Sequence, residues 1–282
     1  MLAAFCFSLM TVIVKLTGER LHVTQILMVR QIGLIIFVVP TLIGNFPNSL
    51  KSSRIDLQLA RILFALVAML GGFVAVINMP LADATAIGFS KSFFVTIFAV
   101  LILHEAVGIY RWGAVMFGFV GVLLMLRPGT DDFSIYGVYA LIGAGASAIV
   151  MIIIRLLTRT DHPNTLISYQ AFGIGLAMLG PGLYFWKWPT LQEWFLLGAL
   201  AIVSYFSQKC NIYAYKWGEA SILASLDYVR LIYATLFGYL IFNNFPGMNT
   251  WAGAGLIVTA AIYTVYREAK RKKLDTRCAL LE

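Results

Sequence analysis

"KLTGERLHVTQILMVRQIG" (Lys15–Gly33) aligns without a gap on "RLLTRTDHPNTLISYQAFG" (Arg155–Gly173), matching Lys15 with Arg155, Leu16 with Leu156 and Gly33 with Gly173. Further on, "ADATAIGFSKSFF" (Ala82–Phe94) aligns on "GEASILASLDYVR" (Gly218–Arg230), and after a short insertion Trp112 falls opposite Trp251. Around these stretches, apolar runs bounded by charge, Gly or Pro mark ten spans, at about 1–16, 25–44, 61–79, 84–104, 110–127, 135–156, 165–185, 192–213, 220–242 and 249–267. Runs of about 17–25 apolar residues cross a bilayer as helices. Five spans per half is an odd number, so two such halves enter the membrane from opposite sides. The expected fold is all-α integral membrane, with ten transmembrane helices in two inverted five-helix repeats. The repeats cover residues 1–130 and 131–267, and a basic tail follows over 268–282.

Composition agrees. The chain has 282 residues, 60% hydrophobic and 12% charged, with a mean hydropathy of +0.85, well above the roughly 45–50% apolar content of a soluble domain. The opening "MLAAFCFSLMTVIVKLTGER" (Met1–Arg20) has no basic leader and no small-residue cleavage site, so it reads as a first span, not a signal peptide. At about 15 apolar residues it is short for a span, and the expectation is that the chain begins upstream or that this helix tilts little. With the N-terminus inside, Lys51, Arg54, Arg61, Arg111, Arg155, Arg159, Lys216 and the tail cations fall in the cytoplasm, against only Lys15, Arg20, Arg127 and Lys187 outside. That asymmetry puts both termini in the cytoplasm. It also accounts for the net charge of +8 without nucleic acid, because the basic residues lie between spans.

Enzyme chemistry finds no footing. Cys6, Cys210 and Cys278 lack paired or metal spacing. His22, His104 and His162 fall in expected loops and pair with no nucleophile. No glycine loop for phosphates is present. Neither a metal nor a cofactor is expected. "YFWKWPTLQEW" (Tyr184–Trp194) reads as an interfacial aromatic belt.

The informative residues are the ionisable ones at membrane depth: Arg30, Lys91, Lys209, Asp227 and Arg230. Each costs a few kcal/mol at a helix centre, so a retained charge faces a cavity or a partner. On a continuous helix Lys91 has Ile87, Phe94 and Val95 on its face, with Gly88 near them and no acid. The repeat alignment puts Asp227 opposite Lys91, so both are expected to face one cavity. Arg230, three positions beyond Asp227, neutralises it locally and leaves Lys91 for an anionic ligand. The competing reading is a closed Lys91–Asp227 pair that only fixes helix packing. For Arg30 and Lys209 the alternative is snorkelling to an interface. Four cations against one acid make the embedded charge positive, which attracts carboxylate or phosphate groups. Asn78, Gln208, Asn211, Tyr228 and Phe89 complete the candidate binding set, while Gln31, Gln170 and Ser204 belong to the same polar group. Interhelical hydrogen bonding is the competing role for any of the polar ones.

At "LADATAI" (Leu81–Ile87) and "WGEASIL" (Trp217–Leu223), each followed by a long span, and at "LHEAVGIYRWGAVMFGFVGVLLMLRPG" (Leu103–Gly129), the chain resembles the drug/metabolite transporter superfamily. Within it, the chain is similar to the ten-span bacterial transporters built from two EamA-type repeats. It departs at "FNNFPGMNTWAG" (Phe242–Gly253), where Asn243 and Asn244 stand near the family's acidic position. The resemblance implies a cavity lined by the third, fourth, eighth and ninth spans with help from the first, second, sixth and seventh. The fifth and tenth spans pack outside and mediate dimer contacts, so a homodimer is a possible assembly. Gly118 with Gly121, and Gly253 with Gly255, are expected to let helices approach closely.

The resemblance further implies a secondary transporter of the bacterial inner membrane. Its expected cargo is a small polar metabolite that is carboxylate-bearing or zwitterionic: an amino acid, organic acid or nucleoside-type zwitterion. Efflux of cationic or drug-like compounds is the alternative. It is disfavoured because the four-span multidrug relatives carry an essential first-span glutamate, and "AAFCFSLMTVIV" (Ala3–Val14) has no acid. A non-transporting receptor or assembly protein is the reading from another class.

Overall fold

A computed structural model describes residues 2–43, 52–103, 109–126, 134–158, 160–217, 229–243 and 247–279, and among them the chain is helical with no strand. The helices are α1 (Leu2–Gly18), α2 (Val23–Ile43), α3 (Ile55–Asn78), α4 (Leu81–Gly88), α5 (Lys91–Leu103), α6 (Ile109–Leu126), α7 (Ile135–Leu157), α8 (Pro163–Tyr184), α9 (Leu191–Trp217), α10 (Val229–Phe242) and α11 (Met248–Ala279). Five stretches are long and apolar enough to cross a bilayer: Val23–Pro40, Ile55–Asn78, Leu81–Phe98, Ile135–Leu157 and Asn164–Tyr184. Shorter apolar helices lie at Ala4–Gly18, Trp112–Leu126 and Arg230–Phe242. Large apolar side chains such as Met116, Phe117, Leu176 and Leu183 point outward and exposed. In water such a surface would aggregate, so it is the face turned to lipid. The protein is a multi-pass membrane protein.

Helix ends follow from local chemistry. His22 and His162, aligned in the repeat, cap α2 and α8 alike: Nδ1 accepts the backbone N–H of Thr24 at 3.4 Å and of Asn164 at 3.3 Å. Pro163 occupies the first position of α8, where no N–H is needed. The free carbonyls closing α3 are met by Lys15, whose Nζ donates to Met79 O at 2.5 Å and Val76 O at 3.3 Å. A cation at a helix C-terminus also complements the dipole.

Three boundaries differ from expectation. α3 begins at Ile55, a turn and a half before the expected start, which draws Arg61 into the helix. α11 runs on to Ala279, so part of the basic tail continues the last helix. The fourth span is not one helix. After Gly88 the bonds tighten to three-residue spacing, with Phe89 N–H on Ala86 O (3.1 Å), Ser90 N–H on Ile87 O (2.9 Å) and Phe93 N–H on Ser90 O (3.0 Å). Ser92 Oγ donates to Phe89 O at 2.9 Å across the turn. Lys91 therefore opens α5 instead of standing mid-helix, which corrects the face assigned to it beside Ile87 and Phe94.

The principal packing pairs are α3 with α7, α6 with α11, α2 with α8 and α1 with α9; α5 also packs on α7, α10 on α1, α9 on α2, α8 on α3, and α4 on α10. α3 and α7 run antiparallel. Leu57, Ala60 and Phe64 at the start of α3 meet Ile153 and Leu157 at the end of α7, while Gly71 lies against Gly143 and Tyr139. At α6–α11, a Cβ on Gly121 would stand 2.8 Å from Gly253 O. Gly118 instead faces the ring of Phe93, and Gly255 has open space beside it, so the crossing is made by one glycine of each expected pair, Gly121 and Gly253.

Candidate functional site

A cavity of about 370 Å³ lies inside the bundle, lined from α1, α2, α3, α4, α5, α7, α8, α9 and α10. Two antiparallel helices form its long walls. α3 presents Arg61, Ala65, Ala68, Gly72 and Val76, and α7 presents Ala140, Ala144, Ser147, Met151 and Thr158. Spacings of three and four residues keep each set on one face. Five cations line the cavity, Arg30, Arg61, Lys91, Arg155 and Arg230, and no carboxylate does so among the described residues.

Arg30 is 2% exposed and Arg61 is 1% exposed. Arg30 donates through Nε to Ser204 Oγ (2.8 Å) and through Nη1 to Gln31 Oε1 (2.9 Å), with Met69 Sδ at 3.5 Å. Its guanidinium carbon sits 5.9 Å from the Phe73 ring centre. Arg61 donates to Leu166 O (2.7 Å) and Gln170 Oε1 (2.6 Å). Its buried Nε meets no hydrogen-bond acceptor among the described residues. Gln31 Nε2 donates to Gln170 O at 3.2 Å, which joins both guanidiniums in one network across α9, α2, α8 and α3. Every acceptor in it is neutral. The ion pairs among the described residues are Arg20–Glu193 and Arg54–Asp56, and neither lies in the cavity. An arginine stays charged at any physiological pH, and a buried charge without an ionic partner is costly.

The structure brings together five of the residues singled out in the sequence. Lys91 is half-buried at the start of α5 beside buried Phe89, Gln208 is half-buried on α9, and Arg30 and Arg230 complete the group. Arg230 lies 5.2 Å from the Phe7 ring centre, and its carbonyl accepts from Ser8 Oγ at 3.3 Å. Arg30 does not snorkel. Lys209 turns to Tyr205, its Nζ 3.4 Å from the hydroxyl, and does not line the cavity. Asn78 is exposed and bonds its own helix at Val74 O (2.8 Å), apart from the group. Asp227, Tyr228 and the Asn211 side chain lie outside the described residues.

Arg61 and Arg155, assigned from the sequence to cytoplasmic loops, are the additions. Arg155 is exposed at the end of α7 and marks the cavity mouth. Arg61 becomes readable as a cavity residue only once the helix is begun at Ile55. Along α3 the apolar Ile55, Leu59 and Leu63 are 56%, 60% and 59% exposed, whereas Gln58 and Arg61 are buried. Polar-in and apolar-out at helical spacing is the pattern of a helix in lipid beside a wet interior.

Polar clusters tie the loops at both ends. Near the start of α3, Asp161 accepts from Ser52 Oγ, Ser53 N–H (3.2 Å) and Gln58 Nε2 (3.0 Å). Burial pushes its carboxyl up, but these hydrogen bonds outweigh burial and hold it below the usual range. At the opposite end Arg20 grips both carboxylate oxygens of Glu193 and donates to Trp188 O at 2.8 Å. Gln25 there exchanges two bonds with the Lys187 backbone (2.7 and 3.1 Å).

Comparison with known proteins agrees with this architecture. An S-adenosylmethionine uptake transporter from Rickettsia prowazekii is 28% identical over 271 residues, 94% of this chain and 92% of the relative. A riboflavin transporter from Brucella anthropi is 24% identical, over 95% and 97%. A pseudopaline exporter from Pseudomonas aeruginosa is 28% identical, over 93% and 92%. A solved crystal structure superposes with a TM-score of 0.62 over 93% of this chain and 96% of its own, at 17% identity. The EamA-like transporter family matches residues 1–127 and again 135–266. An all-helical bundle folded around a charged cavity, and matched along nearly its whole length in two successive segments, belongs to the EamA-like transporter family of membrane transporters.

Proposed function

We propose that this transporter moves a small metabolite bearing a carboxylate, anionic or zwitterionic, across the bacterial inner membrane by alternating access. The observation that carries the reading is the pair of guanidiniums lining the cavity, Arg30 and Arg61, each 1–2% exposed and hydrogen-bonded to neutral groups, with no ionic partner among the described residues. A positive cavity concentrates anions and repels organic cations. S-adenosylmethionine, cargo of the uptake relatives, offers a carboxylate for such a contact, although its sulfonium and ammonium leave it net positive, so it supports the carboxylate contact and not a net negative cargo.

The mechanism rests on two inverted five-helix repeats within a ten-span bundle, both termini cytoplasmic. Support comes from the packing pairs. Exchanging the halves turns α3–α7 into α9–α1, α2–α9 into α8–α3 and α5–α7 into α10–α1, and leaves α2–α8 and α6–α11 as they are. Two halves that pack alike interchange roles, so a cavity open to one side has a mirror arrangement open to the other. The tight turn before Lys91 puts irregular backbone beside the cavity, where broken transporter helices tolerate it.

The test is uptake into proteoliposomes of labelled amino acids, organic acids and organic cations by the unaltered protein and by Lys91→Ala and Arg30→Gln. Carboxylate-bearing compounds should move, and each variant should lose about tenfold or more of the rate, the cost of one charged hydrogen bond. Movement of cations alone, or full activity in both variants, would overturn the reading.

A further inference from the structure

We infer that the cavity takes a substrate with an anionic group at each of two ends and a slender apolar middle, Arg61 receiving one end and Arg30 the other. The inference rests on the anionic reading above and extends it to a charge count and a length. Both guanidiniums line one cavity at the same time, both are almost wholly buried, and neither has an ionic partner among the described residues. Their hydrogen bonds go to neutral groups, and Nε of Arg61 still meets no acceptor. One monoanion would compensate only one of them.

Their spacing excludes a single group serving both. The Arg30 guanidinium lies at the level of Met69 Sδ and the Phe73 ring. Met69 stands two helical turns beyond Arg61 on α3, about 12 Å along the axis. Side chains on a helix lean toward its N-terminus, Arg61 and Met69 alike, so this axial offset is kept between them. No one carboxylate or phosphate spans that gap. Between the two cations the walls are small and mostly apolar, Ala65, Ala68 and Gly72 on α3 facing Ala144, Ser147 and Val150 on α7. They leave a narrow passage that suits methylene or similar groups and offers little to a polar one. Arg155, exposed at the mouth on the Arg61 side, draws anions inward.

Thermal stabilisation of the purified protein by α,ω-dicarboxylates of increasing chain length decides the matter, with monocarboxylates of equal length as partners and phosphomonoesters as the two-charges-on-one-group arm. Affinity in the unaltered protein should exceed that of the matching monocarboxylate and peak at one intermediate chain length, falling for shorter and longer chains. Arg61→Gln should lower the best dicarboxylate about 10- to 100-fold, remove its advantage over the matching monocarboxylate, and regain part of the loss as Arg61→Lys. The length dependence in the unaltered protein decides even if the variants fail to fold. Equal binding of mono- and dicarboxylates at every length, or phosphomonoesters binding as tightly as the best dicarboxylate, overturns this inference and leaves the anionic reading standing. If no anion binds while organic cations do, the anionic reading itself falls.

Discussion

At the scale of the residue, Asp161 lies in the loop before α8 and is only 6% exposed. Hydrogen bonds from Ser52, Ser53 and Gln58 favour its ionised form and hold its carboxyl below the usual range against the effect of burial. A carboxyl depressed in the folded state stabilises the fold fully above the unfolded value, about 3.9, and loses that contribution as pH falls through the folded value. Asp161→Asn should therefore cost about 1–3 kcal/mol at neutral pH. Measured as melting temperature in detergent, its deficit should shrink as pH falls below 4 and the unaltered Asp161 protonates. A deficit that stays constant with pH would show that the carboxylate's charge is not what holds these loops. Arg30 and Lys91 were legible because they interrupt apolar runs. Arg61 was not, because it sits where the span was expected to begin, and a boundary error of six residues turns a cavity residue into a loop residue.

At the scale of the element, helix crossings set by glycine give a paired prediction. A Cβ on Gly71 would meet Tyr139 O at 2.5 Å and Gly143 Cα at 3.2 Å, both backbone of α7 and neither able to swing aside. One residue on, Gly72 has nothing within 4 Å because it faces the cavity. Gly71→Ala should force α3 and α7 apart at about 1–3 kcal/mol, while Gly72→Ala should leave thermal stability unchanged. Equal melting temperatures for the two variants would mean that the crossing is not close-packed. Hydropathy made nearly every helix visible, since apolar runs and Pro or Gly stops record membrane thickness directly. What it could not record was hydrogen-bond spacing within a run. The turn at Phe89–Ser90 has no Pro, and only Gly88 and the serines at 90 and 92 hint that the backbone tightens there. The Gly121–Gly253 crossing was foreseeable in kind. Its partner was not, because spacing alone cannot say that Gly118 serves Phe93.

At the scale of the whole molecule, the two ends are tied by different chemistry at matching places. Where the repeat alignment sets Leu21 against Asp161, the α1–α2 loop and first turn of α2 hold the α8–α9 loop and first turn of α9 through Arg20–Glu193 and Gln25–Lys187, and the α7–α8 loop holds the segment before α3 through Asp161. If the halves rock around the cavity, loosening one end must favour opening there and closing opposite, since both openings draw on one two-state equilibrium. A single cysteine at Ser147, on the cavity wall, reports it after Cys6, Cys210 and Cys278 are replaced by serine. Arg20→Gln should raise its labelling by an impermeant reagent from the α1–α2 loop side and lower it from the other; Asp161→Asn should do the reverse. Losing one hydrogen bond of about 1 kcal/mol shifts such a balance by roughly fivefold, well within the resolution of labelling rates in right-side-out and inside-out vesicles. Faster labelling from both sides in either variant would describe a bundle that has merely loosened. Opposite responses to two substitutions at opposite ends are what a two-state rocking of the bundle produces, because a rigid bundle would not couple an exposed arginine on one face to a buried aspartate on the other.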